Sequence, residues 1–448
     1  KVDSQRGEPR PVCRFDRVSC SNHKPGKSQE APAKITRARI ERMTNSSLHD
    51  PASRPGRLAS TESVAGPAEL RTERVAESSY VPTLDGWRCL AILGVILYHA
   101  TPPSSAFYPF ARQGFRGVDV FFSISGFLIC SRLLDEERRL GTIQLASFYV
   151  RRAFRILPPA FLYIAIVMIL GGVGILTPMP ALEWISSLFF FRNYLPASVG
   201  TSEYSGHYWS LSVEEHFYLF FPGLLVLLGS SRARLAVPAL ALLVVVWRTI
   251  DGRLDLISVI WPTAFPFLRT DRCLDTLLLG CALALLAQHP PSRRWLTRLV
   301  NSPAWYGLVA VYVVIIVYPP LLSHTINALL VPLILFGTVT RPERAVSRLL
   351  ELAPVRWIGR LSYSIYIWQT LFFVGLFRPP EFLQSFPVNA ICVLGIASCS
   401  YYLVEKPMIA YGRRVARSTG ARHSGSKKKP QVYGEHKATK NTESKSAQ

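Results

Sequence analysis

Apolar runs separated by short polar breaks recur from about Trp87 to Tyr411, and polar stretches flank them on both sides. That pattern predicts an all-α, polytopic membrane helix bundle rather than a soluble core. About ten transmembrane helices are expected, near 86–103, 115–134, 157–176, 212–229, 235–249, 273–288, 303–319, 323–340, 358–377 and 387–405. The segment Trp184–Arg192 (WISSLFFFR) is apolar but too short to cross, and reads as interfacial or re-entrant.

The flanks differ in kind from this body. Residues 1–79 are rich in Arg, Ser, Pro and Glu with almost no aromatics, and read as a disordered N-terminal tail. Residues 80–411 form the expected transmembrane domain, and 412–448 a disordered basic C-terminal tail. No apolar stretch near Lys1 resembles a secretory signal, and Met43 is an alternative start to Lys1.

Loop charges set the expected orientation. Arg132, Arg138, Arg139, Arg151, Arg152 and Arg155 follow the second span, and later basic loops carry Arg232 and Arg234, Arg293, Arg294 and Arg298, then Arg341, Arg344, Arg348 and Arg356. With an even count near ten, all of these share one side with both termini. The positive-inside rule makes that side the cytoplasm of a plasma or inner membrane.

Composition adds little to this picture except by exclusion. The net charge of +22 lies in tails and short loops, so topology accounts for it and no nucleic-acid partner is implied. The eight cysteines show no metal or redox spacing, and most lie in or beside apolar runs. No bound metal is expected.

Candidate chemistry comes from polar residues inside the apolar runs, where they are costly. In DGWRCLAILGVILYHA (Asp85–Ala100), Arg88 and His99 are eleven residues apart, which on a helix puts them on one face, roughly 16 Å apart. That face either lines a cavity, with His99 as a general base, or presents Arg88 to a headgroup and His99 to the opposite interface. In QGFRGVDVFFSISGFLI (Gln113–Ile129), Asp119 is a binding candidate or a local cap, and Ser125–Gly126 allows a second backbone to approach closely. In FYVRRAFRILPPAF (Phe148–Phe161), Arg152 and Arg155 are spaced i, i+3 and can grip one anion, with Pro158 and Pro159 expected in the first turn of the next span. The same arginines also fit plain positive-inside topology.

HYWSLSVEEHFYLFFP (His207–Pro222) holds Ser212 and Glu215 in capping-box spacing. Capping leaves Glu214, Trp209 and Ser210 unexplained, which points to a polar cavity. Arg272 and Asp275 in FLRTDRCLDTLLLGC are expected to pair along their helix. Ser and Tyr in IGRLSYSIYIWQ (Ile358–Gln369), followed later by LVEKP (Leu403–Pro407), read as interhelical hydrogen-bonding groups.

In this order, the segments LDGWRCLAILGVILYH, GVDVFFSISGFLI, FYVRRAFRILPP, YWSLSVEEHFYLFFP, RCLDTLLLG, IGRLSYSIYIWQ and LVEKP resemble acyltransferase family 3, polytopic membrane O-acyltransferases acting on sugars. Its members commonly show LDGLRALA…FH, GVDLFFVLSGFLI, FYLRRALRILPP, YWSLSVEEQFYLLWP, RLDALLLG, LGRISYSLYLWH and VEKP. The resemblance covers roughly 80–414. It implies transfer of an acyl group, often acetyl, from acyl-CoA to a hydroxyl of a sugar, cell-surface glycan or glycosylated metabolite. It also implies roles for Arg88 and His99 (an R-x10-H pair) and for Arg152 and Arg155 (an R-x-x-R pair). Two departures stand out: Arg272 and Asp275 are one residue further apart than the usual pair, and Gln369 replaces a histidine.

The expected reaction has acyl-CoA, acetyl-CoA above all, docking on the cytoplasmic side with its phosphates on Arg152 and Arg155. His99 takes the acceptor proton, Arg88 offsets developing negative charge, and Glu214 or Glu215 orients the imidazole. Asp119, Ser125, Trp209, Ser210 and Ser212 are substrate or structural candidates. A transporter or flippase for a glycan or acylated lipid is the alternative use of such an interior.

Overall fold

The computed structural model describes residues 80–199, 201–318, 323–373 and 381–426; the expectations for 1–79 and 427–448 lie outside them. Among the described residues the chain is helical throughout, with one isolated bridge between Pro196 and Thr263. The helices that position the site are α1 (Pro82–Ala100), α2 (Gly117–Leu140), α3 (Leu145–Gly172), α4 (Ala181–Leu188), α5 (Tyr208–Leu254), α6 (Thr270–Gln288), α7 (Pro290–Asn301), α8 (Ala304–Val317), α9 (Ser323–Thr340), α10 (Ala353–Trp368), α11 (Val388–Ser400) and α12 (Lys406–Ser426).

Five helical stretches among the described residues are long and apolar enough to cross a membrane: Tyr108–Leu140, Leu145–Gly172, Tyr208–Leu254, Ser323–Thr340 and Val388–Thr419. A sixth arises if α6 and α7, bent by 108° at their junction, count as one broken span. The count of about ten is therefore not reproduced. Two reasons are visible. α1 carries Asp85, Arg88 and His99, which lower its hydropathy, and α8 has 14 residues, about 21 Å against a hydrocarbon core of about 30 Å. The helical content and the apolar segments, together with the family match given below, describe a multi-pass membrane protein.

At 47 residues, α5 would run about 70 Å if straight. It breaks at Gly229, whose φ of 67° and ψ of 162° are open to glycine and strained for other residues. The break falls between the expected spans 212–229 and 235–249. The opposite happens in α3. Pro158 and Pro159 lie inside one continuous helix rather than starting a new one. The short helix Ala181–Leu188, which overlaps the start of WISSLFFFR, cannot cross the membrane.

Motif glycines explain the tightest helix contacts. A Cβ on Gly126 of α2 would sit 2.0 Å from the Leu277 carbonyl oxygen of α6, and one on Gly280 would sit 2.5 Å from the Ser123 oxygen. Such backbone contact is possible only without side chains. Gly359 likewise brings α10 against Asp85 of α1, where a Cβ would lie 1.8 Å from a backbone oxygen. The main apolar core runs along these helices, with Ile92, Phe122, Tyr163, Phe217, Leu277 and Ile365 among its buried members.

The loop between α4 and α5 is fixed by one buried carboxylate. Glu183 accepts hydrogen bonds from the Ser202 amide (2.9 Å), Ser202 Oγ (2.8 Å) and Ser205 Oγ (2.6 Å), and lies 3.3 Å from Arg192 Nη2. A buried charge is tolerated because its lone pairs are filled.

Candidate active site

Arg88 sits in the first half of α1, its Nη1 3.2 Å from Asp85 Oδ1, while Tyr80 donates to the other carboxylate oxygen at 2.7 Å. Arg152 and Arg155, on one face of α3, lie close enough to act on it electrostatically. These side chains, with Arg132, line a cavity of about 800 Å³, open solvent at its mouth included. A second hollow of about 600 Å³ shares Arg132, Arg152 and Arg155 and adds Arg151 and Arg413. The two form an arginine-lined approach into the bundle. Arg152 lies over the ring of Tyr218 at 4.9 Å and is also 5.7 Å from the Phe148 ring, contacts that hold a guanidinium without neutralising it.

Glu214 lines the same cavity. Its carboxylate accepts from Ser125 Oγ and from the Tyr218 hydroxyl, each at 2.9 Å, and faces Arg152 and Arg155. Ser125, Ser210 and Tyr366 also line the wall, with Ser210 Oγ and the Tyr366 hydroxyl 2.6 Å apart. Glu215 is neighboured by Glu214 and Arg152, and its buried Oε1 makes no hydrogen bond. Both glutamates therefore stand with the arginines, and Glu214 is occupied there rather than at His99. The capping box does not form: α5 begins at Tyr208, so Ser212 is already inside the helix and donates to the Tyr208 carbonyl at 2.9 Å.

His99 lies at the other end of α1. Its Nδ1 is 3.0 Å from the Val95 carbonyl oxygen. A carbonyl only accepts, so this contact assigns the proton of the neutral ring to Nδ1 and leaves the lone pair on Nε2. Tyr98 packs edge-on at 4.9 Å, and Gln369 and His207 are the nearby polar groups. The Gln369 amide is fully buried and neither of its polar atoms makes a good hydrogen bond. His207 Nε2 is unpartnered too. Gln369 and His207 thus gather buried polar atoms around the His99 imidazole.

A third cavity, about 1390 Å³ with open solvent included, opens at this end and is lined by Tyr98, Asp119 and Trp209 among others. Trp209 stacks on Phe115 at 5.7 Å, and Phe122 lines both this cavity and the arginine cavity. Asp119 is 3.9 Å from His324 Nδ1. The expected Arg272–Asp275 pair is replaced: Arg272 reaches Asp251 at 3.3 Å, and Asp275 is held by Arg248 at 2.8 Å. The i, i+3 spacing permitted a local pair, but the broken α5 presents better-placed partners from across the interface.

Tyr218 and Glu405 were not singled out by the sequence. Tyr218 stands four residues after Glu214 on α5, a spacing that could have flagged it. Glu405 ends a π-helical turn, Tyr401–Glu405, before α12; it is buried, accepts from Ser364 Oγ at 2.9 Å, and lies within electrostatic reach of Arg155 and Arg88. Such turns often mark functional positions. Among the described residues no group of three or more His, Cys, Asp or Glu side chains is placed to hold a metal ion.

Comparisons with known proteins bear on this geometry. The chain is 31% identical over 75% of its length to a Bacillus subtilis protein named "Putative peptidoglycan O-acetyltransferase YrhL", covering 56% of that protein. It is 29% identical, again over 75% of its length, to the peptidoglycan O-acetyltransferase OatA of Listeria monocytogenes, covering 57% of it. The chain thus spans a little over half the length of these curated relatives. No solved structure matches it. The family model described as an acyltransferase domain matches residues 81–404, which takes in Arg88, His99, Arg152, Arg155 and Glu214, and the chain belongs to that acyltransferase family.

Proposed function

We propose that this chain is a membrane O-acetyltransferase that moves an acetyl group from acyl-CoA to a hydroxyl of a sugar, cell-surface glycan or glycosylated metabolite. The observation that carries the reading is the convergence of Arg88, Arg152, Arg155 and Glu214 on one cavity at one end of α1, with His99 further along the same helix. O-acetyltransferase relatives over three quarters of the chain supply the reaction class.

In this reading the donor enters from the cytoplasmic side, where both termini also lie. Its phosphates rest on Arg152 and Arg155, whose guanidiniums match phosphate oxygens in pairs. Glu214, anchored by Ser125 and Tyr218, keeps Arg152 and Arg155 oriented without pairing with them tightly. His99 Nε2 takes the proton of the acceptor hydroxyl as its oxygen attacks the thioester carbonyl. The carbon–oxygen bond forms, the carbon–sulfur bond breaks, and the thiolate leaves to be protonated. Arg88, steadied by Asp85, offsets negative charge gathering on the donor. A purified preparation supplied with radiolabelled acetyl-CoA and a sugar acceptor tests the reading. Label transferred by the unaltered chain and lost in His99→Ala supports it, and equal transfer by both would end it.

A further inference from the structure

The cavity at the His99 end of α1 has a chemical character of its own. We propose that it is the acceptor subsite and that it selects a sugar unit carrying an anionic group, a carboxylate or a phosphate; this rests on the acetyltransferase reading above. Two features of the wall carry the proposal: its aromatic faces and its unneutralised arginines.

Tyr98, Tyr108, Phe115, Trp209 and Phe267 give the cavity aromatic surface. Aromatic faces are electron-rich and suit the C–H faces of sugar rings, while Tyr and Trp add hydrogen-bonding tips. Four arginines share the wall, and they divide into two kinds. Arg248 and Arg272 are already matched, by Asp275 at 2.8 Å and Asp251 at 3.3 Å. Among the described residues, Arg112 and Arg116 have no carboxylate within 4.0 Å; Asp119 on the same wall acts on Arg116 only from further off. Arg116 is held in place by neutral groups, Gln113 Oε1 and Ser323 Oγ, each at 3.1 Å. Arg112 is exposed and its guanidinium makes no hydrogen bond among the described residues.

An arginine braced by neutral partners keeps its full charge for a ligand. Asp119 is the one carboxylate on this wall; it lies beside His324 and can accept from a sugar hydroxyl. A neutral sugar would use the aromatic faces and Asp119 and leave two guanidiniums idle. An acidic sugar would use all of them.

The test is equilibrium binding to the full chain in neutral detergent, with a glucuronic-acid oligosaccharide and a neutral glucose oligosaccharide of equal length as probes. The acidic probe is expected to bind about tenfold more tightly, as one charge-assisted contact allows, and to lose that advantage in high salt. Arg112→Gln removes no side-chain hydrogen bond among the described residues, so it is expected to cut the ratio between the probes towards one. Tyr108→Ala is expected to weaken both probes alike. Equal binding of the two sugars, or a preference that survives Arg112→Gln, overturns the proposal. Competition by anionic phospholipid with no binding of the acidic sugar assigns these arginines to a lipid headgroup and also overturns it. Binding needs no turnover, so failure of the transferase reading shows separately, as no use of acetyl-CoA by the unaltered chain.

Discussion

Two groups of arginines in this bundle face different surroundings. Between α5 and α6, Arg248 meets Asp275 at 2.8 Å, Arg269 meets Asp251 at 2.6 Å and Asp271 at 2.8 Å, and Arg272 meets Asp251 at 3.3 Å. Arg269 and Asp251 are fully buried there. At the Arg88 end, Arg152 and Arg155 have no carboxylate in ion-pair range among the described residues, and they surround open volume. A matched buried cation holds helices together. A cation left unmatched beside a cavity is costly to the fold and calls for an anion brought in from outside. The comparison separates structural charge from binding charge where the sequence shows only arginine.

The proposed general base gives the largest expected effect. His99→Ala is expected to lower acetyl transfer by about 10²–10⁴-fold, the scale of a lost general base, with the protein still present in the membrane. Label transfer from acetyl-CoA measures it. Full activity would mean that the cavities at the two ends of α1 are not joined by chemistry at His99.

Next comes the matched network. Asp251→Ala takes one of two carboxylates from buried Arg269 and the one that Arg272 meets, leaving Asp271 on Arg269, and is expected to cost about 1.5–3 kcal/mol of stability. Thermal unfolding in detergent reads the loss. A variant as stable as the parent would remove the distinction drawn between the two arginine groups.

The sequence made the cavity residues visible because polar side chains are conspicuous in apolar runs. Arg88, Arg152, Arg155 and Glu214 stood out for that reason, and they do meet. One motif glycine was equally legible: Ser125–Gly126 marked a close backbone approach, and Leu277 lies there. Partner choice was not legible. Arg272 and Asp275 are local neighbours in sequence, yet each pairs with α5, because three-dimensional packing decides which carboxylate is nearest. Nor could spacing reveal that α5 starts at Tyr208, which takes Ser212 out of its expected cap. Span number was the least readable feature, since α1 and α8 owe their place to packing as well as to length and hydropathy.

The unmatched arginines come third. Arg152→Ala and Arg155→Ala remove charge from the cavity without breaking an ion pair, so the folded amount is expected to stay constant. Each is expected to raise the apparent KM for acetyl-CoA about tenfold or more, as the loss of one charge-assisted hydrogen bond implies. A kcat and KM split from initial rates decides the matter. An unchanged KM would return both residues to topology alone, and reduced folded protein would place them in the same class as Arg269.

The smallest effect is expected at Arg138, which tests whether the comparison rests on position or merely on charge. Arg138 belongs to the same basic stretch as Arg152 and Arg155 and counts equally toward positive-inside orientation. It pairs with Asp135 one turn away on α2, but more than half of its side chain is exposed, so water screens the pair. Arg138→Ala is therefore expected to change stability by less than about 1 kcal/mol and to leave the KM for acetyl-CoA where it was. Initial rates on this variant beside Arg152→Ala, at one protein level, give the contrast directly. A KM shift as large at Arg138 would show that diffuse positive charge on this face draws the donor, and the cavity would lose its claim to specificity.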